Sequence, residues 1–282
     1  MTDYDPEAVA IRPAATVMLV DDRPDLHVLM LRRSPRQVFA TSMWVYPGGA
    51  VDAEDAACLC EGLDDAEACR RLGLAGADGR GSGLAYWVAA IRECFEEAGV
   101  LFAALPPAAS AEAATARRAR LAVHRDALNR GELAFSQLVE REGLRLAATD
   151  LHPVGHWITP LGPPRRFDTR FFLAALPDGE VAAHDRGESV HHDWVRPADA
   201  LAAHREDRMA MMSPTVRMLT CLAAFGSAAE AVDAAAAGLV PHEVRVLRNE
   251  EEYRLMLPGD PGYEDGDGES EFGRVALRAR PT

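Results

Sequence analysis

The stretch Ala89–Val100, AAIRECFEEAGV, constrains this chain more than any other. At 3.6 residues per turn it reads as a helix whose apolar side is made by Ala90, Ile91, Cys94 and Phe95. Glu93, Glu96 and Glu97 then fall at i, i+3 and i+4, and their carboxylates crowd one patch. Like charges that close destabilise a bare helix, so a fold that keeps them needs cations beside them. Hard oxygen ligands suit Mg²⁺ or Mn²⁺. Gly99 ends the helix where a left-handed residue is favoured. A solvated acidic face is the plainer reading of the three glutamates, and the sequence upstream argues against it.

Upstream, the apolar run Met43-Trp44-Val45 leads into Tyr46-Pro47-Gly48-Gly49. That turn, followed by Arg92-Glu93-x-x-Glu96-Glu97-x-Gly99-Val100, resembles the two halves of the Nudix hydrolase signature. Two features depart from the usual pattern. Asp55 stands six residues after Gly49, where the family has Glu, and about thirty extra residues separate it from Arg92. An interrupted box of this kind resembles the subfamily that includes peroxisomal coenzyme A diphosphatases. Leu29–Ser34, Arg166–Phe172 and Glu188–Val195 look like further segments of that subfamily. Val38 and Ser42 stand where its pattern has a basic residue and a Gly.

The resemblance implies an α/β/α sandwich around a mixed sheet, and a metal-dependent hydrolase that cleaves the diphosphate of a nucleoside diphosphate derivative. Its expected metal ligands are Glu93, Glu96, Glu97 and the Gly48 carbonyl, with Mg²⁺ or Mn²⁺ as cofactor. Gly49 lets the backbone approach closely. Arg92 is expected to orient a glutamate of the cluster, and Asp55, one methylene short, leaves its own contact with Arg92 in question. Glu188 follows a turn where these enzymes often place another acidic residue, as metal ligand or proton acceptor. Arg32, Arg33, Arg166 and Arg170 are expected to bind substrate, because guanidinium forks pair with phosphate and coenzyme A carries a 3′-phosphate besides its diphosphate. Arg36 and Arg165 belong to the same two clusters. The expected substrate is coenzyme A or its acyl derivatives, giving 3′,5′-ADP and 4′-phosphopantetheine compounds. ADP-ribose or NADH is the alternative, and a Nudix-fold ligand-binding module without turnover is the alternative from another class.

Composition narrows the partners. The net charge of −14 disfavours non-specific nucleic-acid binding, while local arginines and metal still admit an anionic small molecule. All 30 basic residues are Arg, which excludes lysine chemistry and suggests a GC-rich bacterial genome. Five cysteines, an odd number without a Cys-x-x-Cys, suit a reducing cytoplasm. No secretory leader, membrane span or peroxisomal address is legible, so a cytoplasmic protein is expected. A homodimer stays open.

Periodicity and turn signals predict strands at Ala14–Val20, Leu26–Leu31, Met43–Tyr46, Leu151–Thr159, Phe167–Leu176 and Val190–Val195. Helices are expected over Leu84–Ala98, Ala108–Arg130 and Glu132–Glu142, and from Pro197, Ser213 and Ser227 onward. These divide the chain into a Nudix domain at 9–206 and an extension at 207–282. The domain carries an insertion at 56–84 inside the box and a helical insertion at 104–147. The extension is expected to be helical, with a hairpin or two short strands at 243–257 and an acidic, partly flexible tail from Pro258.

Overall fold

A computed structural model describes residues 8–35, 40–74, 82–104, 110–159, 163–185 and 187–238, then 242–243, 245–248, 253–256, 260, 262–263 and 273–275. In chain order, the first half holds β1 (Ile11–Asp22), β2 (Leu26–Arg33), β3 (Trp44–Val45), β4 (Gly48–Ala50), α1 (Asp65–Leu72), α2 (Gly83–Ala98), β5 (Ala103–Ala104), α3 (Ala111–Asn129) and α4 (Phe135–Glu142). Then come β6 (Arg145–Leu146), β7 (His152–Ile158), β8 (Arg166–Ala175), β9 (Ser189–Val195), α5 (Pro197–Arg205), α6 (Ser213–Leu222) and α7 (Ala228–Ala236). The last elements are β10 (His242–Glu243), β11 (Arg245–Arg248), β12 (Tyr253–Met256) and β13 (Gly273–Val275).

The main sheet runs β10-β13-β7-β8-β1-β2-β3, with β4 added beside β1 and β9 beside β2. β1 pairs in parallel with β8 along Ile11–Val20, and the other pairings are antiparallel, so the sheet is mixed. The unbroken apolar run of β1 has a simple cause: both of its faces are covered. Ala15, Val17 and Leu19 join the core under α2, while Met18 and Val20 join a second core under α6 and α7. Alternation with a period of two sends successive residues to opposite layers. This is the expected α/β/α sandwich.

α2 is buried around most of its circumference, including Trp87, Ile91, Cys94 and Phe95. The Trp87 indole donates to the Leu151 carbonyl at 3.0 Å. Ser82 caps the start of α2, and Gly99 closes it at φ +72°. In the insertion at 56–84, Asp65 on α1 accepts from the Leu84 amide at 2.9 Å and from the Ser82 hydroxyl. The described part of that insertion therefore braces the N-terminal end of α2.

The strand expected at Met43–Tyr46 is only Trp44–Val45, and the Gly-Gly turn itself pairs as β4 against Ala14–Thr16. The hairpin expected within 243–257 is present as β11 and β12. The expectation of a loose tail from Pro258 needs correction at one place. Gly273–Val275 pairs with Gly155–Trp157, so the extension supplies a strand of the main sheet. Residues beyond 206 also build the second core layer through Met218, Leu219 and Leu222. Most of the acidic tail, Arg36 and Val38 lie outside the described residues.

Candidate active site

Arg92 organises the carboxylate helix. Its guanidinium is buried, and both Nε and Nη2 donate to Asp55, at 2.9 and 3.0 Å. Nη1 donates to Glu93 at 2.8 Å and to Glu96 at 3.2 Å, and Nη2 also reaches the Ala50 carbonyl at 2.8 Å. The open question over Asp55 is thus answered by local structure. A 3-10 turn at Ala53–Ala57 carries the shorter side chain inward, and the Asp52 amide donates to it at 2.8 Å.

The Gly-Gly strand meets the same helix. The Gly48 amide donates to Glu97 at 2.9 Å. A Cβ on Gly49 would stand 2.6 Å from the Glu93 carboxyl carbon, so only glycine leaves room for that side chain. Opposite them, Arg33 places Nη2 at 3.3 Å from Glu188 and Nη1 at 4.0 Å from Glu97. The Arg33 Nε is buried without a hydrogen-bond partner among the described residues. Glu188 is held at this point by its carbonyl, which accepts from the Ser34 amide at 2.7 Å. Asp185 accepts from the amides of Gly187, Glu188 and Ser189, at 3.1, 2.7 and 3.0 Å.

Glu93, Glu96, Glu97 and Glu188 therefore line one open cleft of about 700 Å³. Its opposite wall comes from the end of α3, with Asp126, Asn129 and Arg130. Among the described residues, no three His, Cys, Asp or Glu side chains already gather as a metal cage. Glu93 and Glu96 each turn one oxygen toward Arg92, and Glu97 turns one toward Gly48. The chemistry of the donors still fits a hard divalent cation, since four carboxylates face one space.

Burial raises the proton affinity of the three glutamates on α2. It pushes Glu93 up to about 7, against the pull of Arg92. Glu97 lies well above the usual carboxylate range, through burial first and Glu93 second, with Gly48 and Arg33 opposing. Glu96 is raised by burial as well. For Arg92, burial acts to weaken the charge, and the bond to Asp55 with the nearby glutamates more than restores it. Carboxylates that resist ionising together are the ones a bound cation would relieve.

Of the four arginines expected to bind substrate, Arg33 alone sits among these carboxylates. Arg32 is exposed, and strand alternation gives it the sheet face of Met30 instead. Arg166 donates to the Thr159 carbonyl at 3.0 Å at the start of β8. Arg170 is buried, donates to the Leu72 carbonyl at 2.8 Å and lies over the Tyr86 ring. Arg166 and Arg170 thus each hold a backbone carbonyl. Sequence reasoning missed Asp185, Asp126 and Asn129. The only available signal was the position of Asp185 three residues before Glu188, which suits a side-chain turn.

A Gly-Gly strand facing a carboxylate helix within an α/β/α sandwich is the architecture of the Nudix hydrolases. Residues 77–222, more than half of the chain, match the family model described as the NUDT19 Nudix domain, and the chain belongs to that family. The matched region ends at the last residue of α6. The acyl-coenzyme A diphosphatase NUDT19 of Homo sapiens is 29% identical over 274 residues, covering 85% of this chain and 73% of that protein. The protein of the same name from Gallus gallus is 28% identical over 307 residues, covering 91% of this chain and 81% of that protein. The crystal structure of a NUDIX hydrolase from Alicyclobacillus acidocaldarius superposes with a TM-score of 0.56 at 27% identity, covering 80% of this chain and 97% of that one.

Proposed function

We propose that this protein hydrolyses the diphosphate linkage of coenzyme A and its thioesters, giving 3′,5′-ADP and 4′-phosphopantetheine or its acyl forms. The observation that carries this reading is the cleft in which Glu93, Glu96, Glu97 and Glu188 face Arg33. It occurs in a chain aligned over most of its length with two proteins named acyl-coenzyme A diphosphatase.

Glu93, Glu96, Glu97 and the Gly48 carbonyl would hold Mg²⁺ or Mn²⁺. When bound, such an ion lowers the pKa of water and neutralises diphosphate oxygens. The chain's own residues do the rest. Arg92 holds Glu93 and Glu96 in register. Arg33 offers its fork to the incoming diphosphate, exchanging its weak contact with Glu188. Glu188, at 55% side-chain exposure far more open than Glu97, is assigned to accept the proton of the attacking water. As water adds to one phosphorus, the bond from that phosphorus to the bridging oxygen breaks.

The net charge of −14 supports a small-molecule substrate over nucleic acid. Among the described residues no helix is long and apolar enough to cross a membrane. The odd number of cysteines supports a reducing cytoplasm.

The test is mass-spectrometric product analysis with Mg²⁺ or Mn²⁺ and, in separate tubes, coenzyme A, an acyl-coenzyme A, ADP-ribose and NADH. We expect 3′,5′-ADP together with a phosphopantetheine product. AMP from ADP-ribose or NADH alone would discard the substrate and keep the chemistry. No cleavage in any tube would sink the hydrolase reading.

A further inference from the structure

We propose that Arg125, on the inserted helix α3, is a positioning residue for the hydrolytic site, joining the last turn of α2 to the segment that carries Asp185 and Glu188. This rests on the reaction proposed above. The last turn of a helix leaves carbonyls without helical partners, and a turn that bears two functional carboxylates must not fray. Here the partners come from outside the helix. Arg125 Nε donates to the Glu96 carbonyl at 3.0 Å, and Asn129 donates to the same oxygen at 3.2 Å. The Ala98 carbonyl accepts from the Ala183 amide at 2.8 Å.

Arg125 spans both sides of that junction. Its Nη2 donates to the Ala183 carbonyl at 2.7 Å. Two residues on, Asp185 gathers the amides of Gly187, Glu188 and Ser189. One guanidinium thus links the Glu96 backbone on α2 with the segment that leads to Asp185 and Glu188. A cation at the C-terminal end of α2 also complements the helix dipole. Gly99 makes the space: a Cβ there would come within 2.8 Å of Arg125 Nη1. A planar fork can serve two carbonyls on two segments from separate nitrogens, whereas a Lys ammonium gathers its three donors on one nitrogen at the end of a flexible stem. The α3 insertion is therefore part of the site's scaffold as well as one wall of its cleft.

The experiment compares Arg125→Lys with Arg120→Ala in the full chain. Arg120 bonds Glu142 twice, each at 2.8 Å, and fastens α3 to α4 away from the cleft. At saturating Mg²⁺ and acyl-coenzyme A, Arg125→Lys should lower kcat about tenfold with KM within about twofold, because small misplacements act on the chemical step. Amide hydrogen exchange at Gly187, Glu188 and Ser189 should quicken in the same variant. Arg120→Ala should leave kcat and that exchange unchanged while lowering Tm. Wild-type kcat or unchanged exchange in Arg125→Lys would overturn the inference, as would an equal loss of kcat in Arg120→Ala. If the wild-type protein cleaves no coenzyme A compound, the proposed reaction fails, and the exchange measurement still decides whether Arg125 holds the loop.

Discussion

Asp55 receives two parallel hydrogen bonds from Arg92, from Nε at 2.9 Å and Nη2 at 3.0 Å, with both side chains buried. The two stand 37 positions apart in the chain, with a whole helix between them. Removing Asp55 leaves Arg92 paired with Glu93 and Glu96 but deprives its buried Nε of an acceptor, at a cost of about 3 kcal/mol for a charged donor. Asp55→Ala should therefore lower stability by roughly that amount, read by urea denaturation. A loss of under about 1 kcal/mol would show that Arg92 finds other partners.

Gly49→Ala probes the closeness of strand to helix. The added methyl would meet the Glu93 carboxylate and no backbone atom among its nearest neighbours, so the fold should survive while Glu93 is displaced. We expect kcat to fall roughly 10²-fold, as for misplaced catalytic groups, with Tm changed by a few degrees at most. Unchanged turnover would remove Glu93 from the chemistry.

Glu97→Gln keeps an oxygen for the Gly48 amide and deletes the charge. Activity at fixed Mg²⁺ should drop about 10²-fold or more, with circular dichroism unaltered. The same change at Glu188 removes the carboxylate assigned to accept the proton of the attacking water and should lower kcat with KM near the wild-type value. An unaltered kcat would move that role elsewhere.

The raised carboxylates make stability depend on pH. Glu93 binds its proton more tightly folded, at about 7, than unfolded, near 4.5. Between those values the folded state holds more protons, so its stabilising contribution is complete below about 4.5 and declines as pH rises through 7. In chelator, Tm should fall over that window. Mg²⁺ should offset the fall most at the high end, because metal replaces the proton. A calorimetric Tm that rises between pH 5 and 7 in chelator would contradict the burial of Glu93.

Much of this site was legible in the residues themselves. The carboxylate spacing, the Gly-Gly turn, Gly99 and the buried run of β1 are local patterns, since helix and strand periods fix which side chains share a face. Arg32 and Arg33 looked equivalent as neighbours, and Arg170 looked equally apt, because composition does not record which face or which depth a side chain takes. Arg125 was one arginine among several on an Ala- and Arg-rich helix.

The sequence by itself determined the chemistry on offer: three glutamates on one helical patch, an arginine beside them and a glycine pair to approach them. Tertiary structure decided the rest. It brought Asp55 to Arg92, put Arg33 beside Glu97 and Glu188, set Glu188 on the cleft and laid Arg125 over the end of α2. Those contacts join segments far apart in the chain. Their partners depend on how strands register and layers pack, which no local period encodes.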